Sequence, residues 1–241
     1  MLAPPVWTEA ELEAQRRIAI DAFREERIRA PLAAYLAVFD QRRAHFEELI
    51  DGVLAAPDPA AIDDDTIARV LGSEALLEAF RYLAAPPISS DDLMVLAEAD
   101  SLSPRALLED PTRARRVFGT VLQAIDRRRF PWAFLRAPAA EERAAAVTAS
   151  TALLATRRTE TDRRSEGKTA QEAAVFAALA GVGVLREPAR TIRTLDEAPS
   201  PGRCCGESML GGRKADVVVR LHDRRVLALE CKVSNSATNS I

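Results

Sequence analysis

The residues best suited to chemistry lie near the C-terminus. Asp216 lies in one apolar run, and after thirteen intervening residues Glu230 and Lys232 lie in a second. Two carboxylates in a partly buried setting repel each other, and a divalent cation such as Mg²⁺ relieves that repulsion because it prefers oxygen ligands. A neighbouring lysine can stabilise hydroxide and the charge that builds on a phosphate. The three residues together therefore indicate metal-dependent hydrolysis of phosphate esters.

The distribution of lysine supports this interpretation. Of the 33 basic residues only Lys168, Lys214 and Lys232 are lysine, and all three lie in the last third of the chain. Lysine carries a compact charge with a tunable pKa, whereas arginine is a fixed planar cation. Their placement favours ammonium chemistry in this part of the chain.

The two apolar runs, Ala215–Leu221 and Val226–Val233, predict a β-hairpin with its turn at 222–225. Side chains alternate along a strand. A hairpin with this turn therefore brings Asp216 opposite Glu230 or one position away from it.

An Asp, a Glu and a Lys on neighbouring strands also occur as surface ion pairs, which contribute less than ~1 kcal/mol. Here the flanking residues are mostly Val and Leu, which is typical of a covered sheet. Because a covered carboxylate pair needs compensation, we favour the metal site. The backbone carbonyl of Cys231 is expected to complete the protein's ligands to Mg²⁺.

Composition divides the chain into two parts. Residues 1–156 hold 18 arginines against 25 acidic residues, a net charge of −7, and residues 157–241 hold 15 basic against 11 acidic residues, a net charge of +4. The first part predicts helices throughout, and β-branched alternation occurs only in the second. We therefore predict an α+β protein with a helical N-terminal region at 1–156. The positive charge of 157–241 suits a phosphate-bearing partner.

The N-terminal region contains several sequence patterns that are typical of helix starts. Thr8 and Glu11 form a capping box, which predicts a helix from there to about Arg29. Polar residues that precede or begin further helices are Asp58, Ser90, Ser103 and Asp110.

The second part begins with a helix and ends with the hairpin. Thr169 and Glu172 form another capping box, which predicts a helix start before the apolar stretch that ends at Gly181. A strand is possible near 184–193. Residues 196–213 hold two prolines and four glycines, and they predict an irregular loop.

Asp216, with Ala215 at the usual proline position, and Glu230-Cys231-Lys232 together resemble the PD-(D/E)XK nuclease motif. More narrowly, the chain is similar to the XamI-type type II restriction endonucleases. That similarity rests on the helical N-terminal half and on three segments, Ala85–Leu93, Gly167–Glu172 and Glu230–Ser240.

The resemblance implies Mg²⁺-dependent cleavage of both strands of a short palindromic site in double-stranded DNA by a homodimer. It implies that Asp216 and Glu230 bind the metal and that Lys232 orients water or stabilises charge. The implied fold is a PD-(D/E)XK restriction-endonuclease-like αβββα core at 157–241. Because that core has a further helix and strand after Lys232, we expect the chain to be truncated at its C-terminus.

Many nucleases of this kind add an acidic residue from the helix before the first strand, and Glu172 is the candidate. The alternative is that Glu172 serves only its local capping box. The sequence leaves both roles open.

Contacts with DNA are expected close to the predicted catalytic residues. Asn235 can bond a base edge or a phosphate, whereas Ser234 has the alternative role of a helix cap. The predicted DNA-binding residues are Arg213, Lys214, Ser234, Asn235, Ser236 and Asn239.

The remaining features narrow the class of protein. No apolar run is long enough to cross a bilayer and no secretion signal begins the chain, so we expect a cytoplasmic protein without a membrane partner. Three cysteines, two of them adjacent, predict neither disulfides nor a structural zinc site. Two other functions remain open: a DNA-binding or assembly protein without catalysis, and a repair nuclease with the same core.

Overall fold

The computed structural model describes residues 6–231 of the 241-residue chain and has the predicted α+β composition. The chain divides into two compact units, Met1–Thr159 and Glu160–Ile241. Their boundary falls within one continuous helix.

The N-terminal unit consists of helices whose starts follow local sequence signals. Thr8 and Glu11 form both hydrogen bonds of the predicted capping box. Asp58, Ser103 and Asp110 each accept a backbone N–H in the first turn that follows, as predicted. The bounds are α1 Glu9–Arg24, α2 Ala30–Leu49, α3 Asp64–Leu71, α4 Glu74–Arg81, α5 Ser90–Leu96, α6 Pro104–Glu109, α7 Pro111–Gln123 and α8 Ala140–Gly181.

Short irregular helical turns extend this unit. The π-helical turns Glu25–Arg29 and Ile50–Leu54 follow α1 and α2, and a 3₁₀ turn spans Pro59–Ala61. The predicted first helix therefore continues past Arg29, because the backbone stays helical at Glu25, Arg29 and Ala30 and a π-helical turn precedes the proline of α2.

The core of the N-terminal unit is one cluster of aromatic and aliphatic side chains. Phe80 stacks on Phe118 with ring centroids 4.5 Å apart, and Phe130 meets Trp132 edge to face. Arg129 is the main polar group beside them. It pairs with Asp126 at 2.7 Å and donates to backbone carbonyls of residues 82–84, so this arginine has a structural role.

The C-terminal unit contains two small sheets. One has the strand order β1-β3-β6-β7 with β1 parallel to β3 and the other pairs antiparallel; the second has the order β2-β4-β5. The bounds are β1 Leu185–Glu187, β2 Thr191–Ile192, β3 Arg203–Cys205, β4 Ser208–Leu210, β5 Arg213–Ala215, β6 Val217–Arg220 and β7 Val226–Leu229, with a 3₁₀ turn at Leu195–Glu197.

Strand β6 is buried on both faces. Val217 and Val219 pack with Val175 and Phe176 of α8, while Val218 packs on the opposite side in a second apolar cluster. This explains why the strand is continuously apolar rather than alternating. A polar side chain next to β6 therefore lies in surroundings that exclude water.

Two predictions about this unit are wrong. Residues 196–213 are not an irregular loop, because they fold into β3, β4 and the start of β5. Strands of three residues carry too little alternation to be recognised among glycines and prolines. Thr169 does not begin a helix, because α8 runs without interruption from Ala140 to Gly181.

Other predictions for this unit are confirmed. The region 184–193 contains β1 and β2, and β6 and β7 form the predicted hairpin. In its turn the N–H of Leu221 donates to the carbonyl of Arg225, and Arg224 takes a positive φ of 70°. Within residues 6–231 no helix combines the length and apolar character that crossing a membrane requires.

Candidate active site

Asp216 occupies the bend between β5 and β6 and is only 8% exposed. Both of its carboxylate oxygens have partners. Oδ2 accepts the backbone N–H of Cys231 at 2.7 Å, and Oδ1 lies 2.9 Å from Nζ of Lys168 on α8. The first contact ties the segment before β6 to the segment after β7, where the predicted catalytic residues continue.

These two contacts set the charge of Asp216. The Lys168 ammonium and then the Cys231 N–H lower the pKa of Asp216 below 3.8, and they outweigh the opposing effect of burial. The same ion pair raises the pKa of Lys168. At neutral pH the site therefore contains a carboxylate and an ammonium in direct contact.

Glu230 follows β7 directly. Val217 pairs with Leu229 at the end of the β6–β7 ladder, and Asp216 and Glu230 are the residues next to that pair. The sequence left open whether Asp216 lies opposite Glu230 or one position away. The contact that the structure describes is between the Asp216 carboxylate and the N–H of Cys231, the residue after Glu230.

Glu230 also borders a cleft of about 320 Å³. Arg213 and Lys214, both predicted to contact DNA, line the same cleft. The arrangement brings two cations and a carboxylate to one concave surface. Such a surface suits a phosphate next to a hydrolytic site.

Glu172 lies inside α8, one turn after Lys168. Its Oε1 is 3.5 Å from Lys168 Nζ. The helix-cap alternative is wrong, because the hydroxyl of Thr169 donates to the Ser165 carbonyl within the helix at 3.0 Å. The carboxylate of Glu172 is thus directed to the same lysine that contacts Asp216.

Lys168 and the carboxylates of Asp216, Glu172 and Glu207 form one cluster of charged side chains. The sequence analysis did not assign a role to two of its members. Lys168 was noted for the rarity of lysine and lies in the Gly167–Glu172 segment of the resemblance, but it was given no role, and Glu207 was not noted at all. Glu207 Oε2 lies 3.6 Å from Lys168 Nζ and 2.8 Å from Lys214 Nζ. The helical spacing of Lys168 and Glu172 was a usable signal, whereas the contact with Glu207 depends on strands that the sequence did not reveal.

Several predicted residues lie outside the described part of the chain. One of them is Lys232, the predicted charge-stabilising residue. The other four are the predicted DNA contacts Ser234, Asn235, Ser236 and Asn239.

The side chains near Asp216 carry the type of ligand atom that a hard divalent cation prefers. Asp216, Glu172 and Glu207 offer carboxylate oxygens, the ligand type that Mg²⁺ prefers. In residues 6–231, however, no group of three or more His, Cys, Asp or Glu side chains is arranged to hold a metal ion. The ammonium of Lys168 lies between these acidic side chains instead.

Comparison with known proteins identifies the family to which the chain belongs. The model of the XamI restriction endonuclease family matches residues 60–241. The type II restriction enzyme XamI of Xanthomonas campestris pv. amaranthicola is 45% identical over 240 residues, which cover 99% of this chain and 86% of that enzyme. The chain therefore belongs to the XamI restriction endonuclease family, and the family prediction is confirmed. No solved structure matches the chain.

Proposed function

We propose that this protein, a type II restriction endonuclease by its family, hydrolyses both strands of a short DNA site with Mg²⁺ held by Asp216 and Glu230. The hydrogen bond between Asp216 Oδ2 and the Cys231 N–H carries the proposal. It joins the two halves of the Asp…Glu-x-Lys pattern at 2.7 Å although they are fourteen residues or more apart in sequence. The polypeptide arrangement that we propose around this contact is the PD-(D/E)XK core.

Each polar residue has a distinct part in the proposed reaction. Asp216 is ionised at neutral pH, since its contacts with Lys168 and the Cys231 N–H lower its pKa further in spite of burial, and we assign the carbonyl of Cys231 as an uncharged ligand oxygen. Lys232 stabilises the charge that develops on the phosphate, and Glu172 supplies a further carboxylate from α8. The cation, when bound, activates water and neutralises the phosphate.

The cleft beside Glu230 accounts for the approach of DNA. Arg213 and Lys214 line it and contact phosphate oxygens, which fixes the register of the duplex without identifying bases. We assign contacts with bases and further phosphates to the segment after the catalytic lysine, through Ser234, Asn235, Ser236 and Asn239.

Cleavage of both strands in one binding event needs two active sites with opposite polarity. The strands of a palindromic site are related by a two-fold axis, and a homodimer with the same symmetry offers one site to each strand. A homodimer is therefore the proposed active form.

Plasmid digestion tests this function. Supercoiled plasmid should be cut at fixed positions with Mg²⁺ and remain intact in EDTA. Glu230→Ala and Lys232→Ala should each cut at least about 100-fold more slowly, because the first removes a proposed ligand of the cation and the second removes the ammonium that stabilises charge on the phosphate. Both variants should retain DNA binding in a gel-shift assay.

Glu172→Gln and Glu166→Gln form a matched pair on α8. Glu166 is exposed and stays outside the cluster around Lys168. Glu166→Gln should cut at the parental rate, and Glu172→Gln should cut more slowly. Undiminished cutting by both Glu230→Ala and Lys232→Ala would refute the assigned site, and DNA binding without any cleavage would favour a non-catalytic protein.

A further inference from the structure

Lys168 lies at the centre of three carboxylates from separate parts of the C-terminal unit. Its Nζ is 2.9 Å from Asp216, 3.5 Å from Glu172 and 3.6 Å from Glu207. The three acids come from the bend before β6, from the next turn of α8 and from the segment between β3 and β4. One ammonium thus joins a helix to both sheets of this unit at the point where the proposed function needs a cation.

The charge of this cluster depends on Lys168. Three carboxylates face two ammonium groups, because Lys214 also pairs with Glu207 at 2.8 Å. Without Lys168 the remaining charges would be three negative and one positive, and the nearly buried Asp216 would lose its closest cation. Carboxylates so close together repel one another unless a cation separates them.

We propose that Lys168 is a positioning residue that acts as the internal counter-ion of Asp216 until a divalent cation replaces it. The inference rests on the proposed function, since it requires Asp216 to be a ligand of that cation. The ammonium of Lys168 and a divalent cation would compete for Oδ1 of Asp216. Because the two positive charges repel each other, binding of the cation to this oxygen displaces the ammonium.

The side chain of Lys168 is suited to such an exchange. It carries its charge on a flexible four-carbon chain and is 39% exposed, so it can move without disturbing the buried sheet. Glu172, one helical turn away, remains as its partner after the ammonium leaves Asp216. The acids are therefore held in place before the metal binds, and the ammonium keeps a partner afterwards.

Calorimetric titration with MgCl₂ in the absence of DNA tests the exchange. Lys168→Met removes the competing cation and should bind Mg²⁺ at least about tenfold more tightly than the parent, the scale on which one nearby charge changes the affinity of a carboxylate for a cation. Lys168→Arg keeps the charge in a planar fork that grips a carboxylate with two bonds. This variant should bind Mg²⁺ about tenfold more weakly.

Two controls separate this inference from the proposed function. Arg225→Met removes one cation from the hairpin turn, where Arg225 pairs with Asp223, and should leave Mg²⁺ affinity unchanged. Asp216→Asn should abolish Mg²⁺ binding. If it does and both Lys168 variants bind Mg²⁺ like the parent, the counter-ion role is overturned and the proposed metal ligand stands.

Other outcomes are equally decisive. Mg²⁺ binding that survives Asp216→Asn would overturn both the ligand assignment and the counter-ion role, as would an absence of Mg²⁺ binding in every variant. Lost cleavage with unchanged Mg²⁺ affinity in Lys168→Met would make Lys168 a catalytic residue instead, which also contradicts the inference. Opposite changes of affinity in the Met and Arg variants would support it, because a purely structural ion pair does not reverse the sign.

Discussion

The two units of the protein differ in what holds them together. The N-terminal unit buries aromatic and aliphatic side chains in one extended cluster, whereas the buried residues described for the C-terminal unit form two smaller clusters on either side of β6. Each unit also holds an ion pair of a weakly exposed carboxylate, Asp126 with Arg129 in the N-terminal unit and Asp216 with Lys168 in the C-terminal unit. Arg129 also bonds the backbone carbonyls of residues 82–84 and so stabilises the fold, whereas Lys168 is 39% exposed and contacts two further acids. Apolar burial therefore dominates the N-terminal unit, and the C-terminal unit concentrates charged side chains next to β6.

The largest loss of stability should come from a substitution in the core of the N-terminal unit. Phe80→Ala removes a fully buried ring that stacks on Phe118, and it should lower the free energy of unfolding by about 3–5 kcal/mol. Denaturant unfolding followed by tryptophan fluorescence measures this, because both tryptophans, Trp7 and Trp132, belong to the N-terminal unit. Leu108→Ala, at a side chain that is 53% exposed, should change stability by less than about 0.5 kcal/mol. Equal losses in the two variants would contradict the view that burial sets stability here.

A smaller loss of stability is expected from glycine substitutions in the C-terminal unit. Gly202 has a φ of +75°, and an added Cβ would lie 2.4 Å from the His222 ring. Gly202→Ala should therefore cost about 2 kcal/mol, from backbone strain and the displaced ring. Gly183→Ala has a similar φ of +85° with open space around the new methyl, so it should cost only about 1 kcal/mol. Hydrogen exchange of the β6 amides measures both, and identical protection would show that the ring contact has no cost.

The smallest effect should be a dependence of stability on pH at the start of α8. Two hydrogen bonds from Arg136, and one from the Ala139 N–H, lower the pKa of Glu142 from 4.5 to about 2. A carboxylate with a lowered pKa stabilises the fold above pH 4.5 and loses that contribution as pH falls towards 2. Glu142→Gln should remove this part of the acid sensitivity.

Urea unfolding at pH 7 and pH 3 measures that change. The parent should lose more stability between the two values than Glu142→Gln does. An equal loss would mean that the Arg136 pair makes no contribution in solution.

Local signals in the sequence predicted much of the helical structure. A capping residue such as Ser103 or Asp110 acts within one helical turn, so its effect can be read without knowing the fold. The box at Thr169 misled because the same residues also fit a helix interior: the hydroxyl bonds back to Ser165, and Glu172 pairs with Lys168. Capping patterns indicate a helix start only where the preceding residues do not already form a helix.

Part of the candidate site was also predictable. The turn at 222–225 predicted the β6–β7 hairpin, and the antiparallel pairing that follows from it extends to Val217 and Leu229, the residues next to Asp216 and Glu230. The contacts of Lys168 and Glu207 were not predictable, since they join α8 to strands of only three residues. The scarcity of lysine did mark Lys168 and Lys214 as unusual, and both contact the acids of this cluster.

The positions of the cysteines have a practical consequence. Cys204, Cys205 and Cys231 are buried free thiols, and all belong to the C-terminal unit. Burial raises the pKa of the Cys204 and Cys231 thiols, so little reactive thiolate is available while the sheet is closed. The rate of thiol alkylation therefore measures how often the C-terminal unit opens. The measurement needs neither DNA nor magnesium, and it does not report on the N-terminal unit, because all three cysteines of the sequence belong to the C-terminal one.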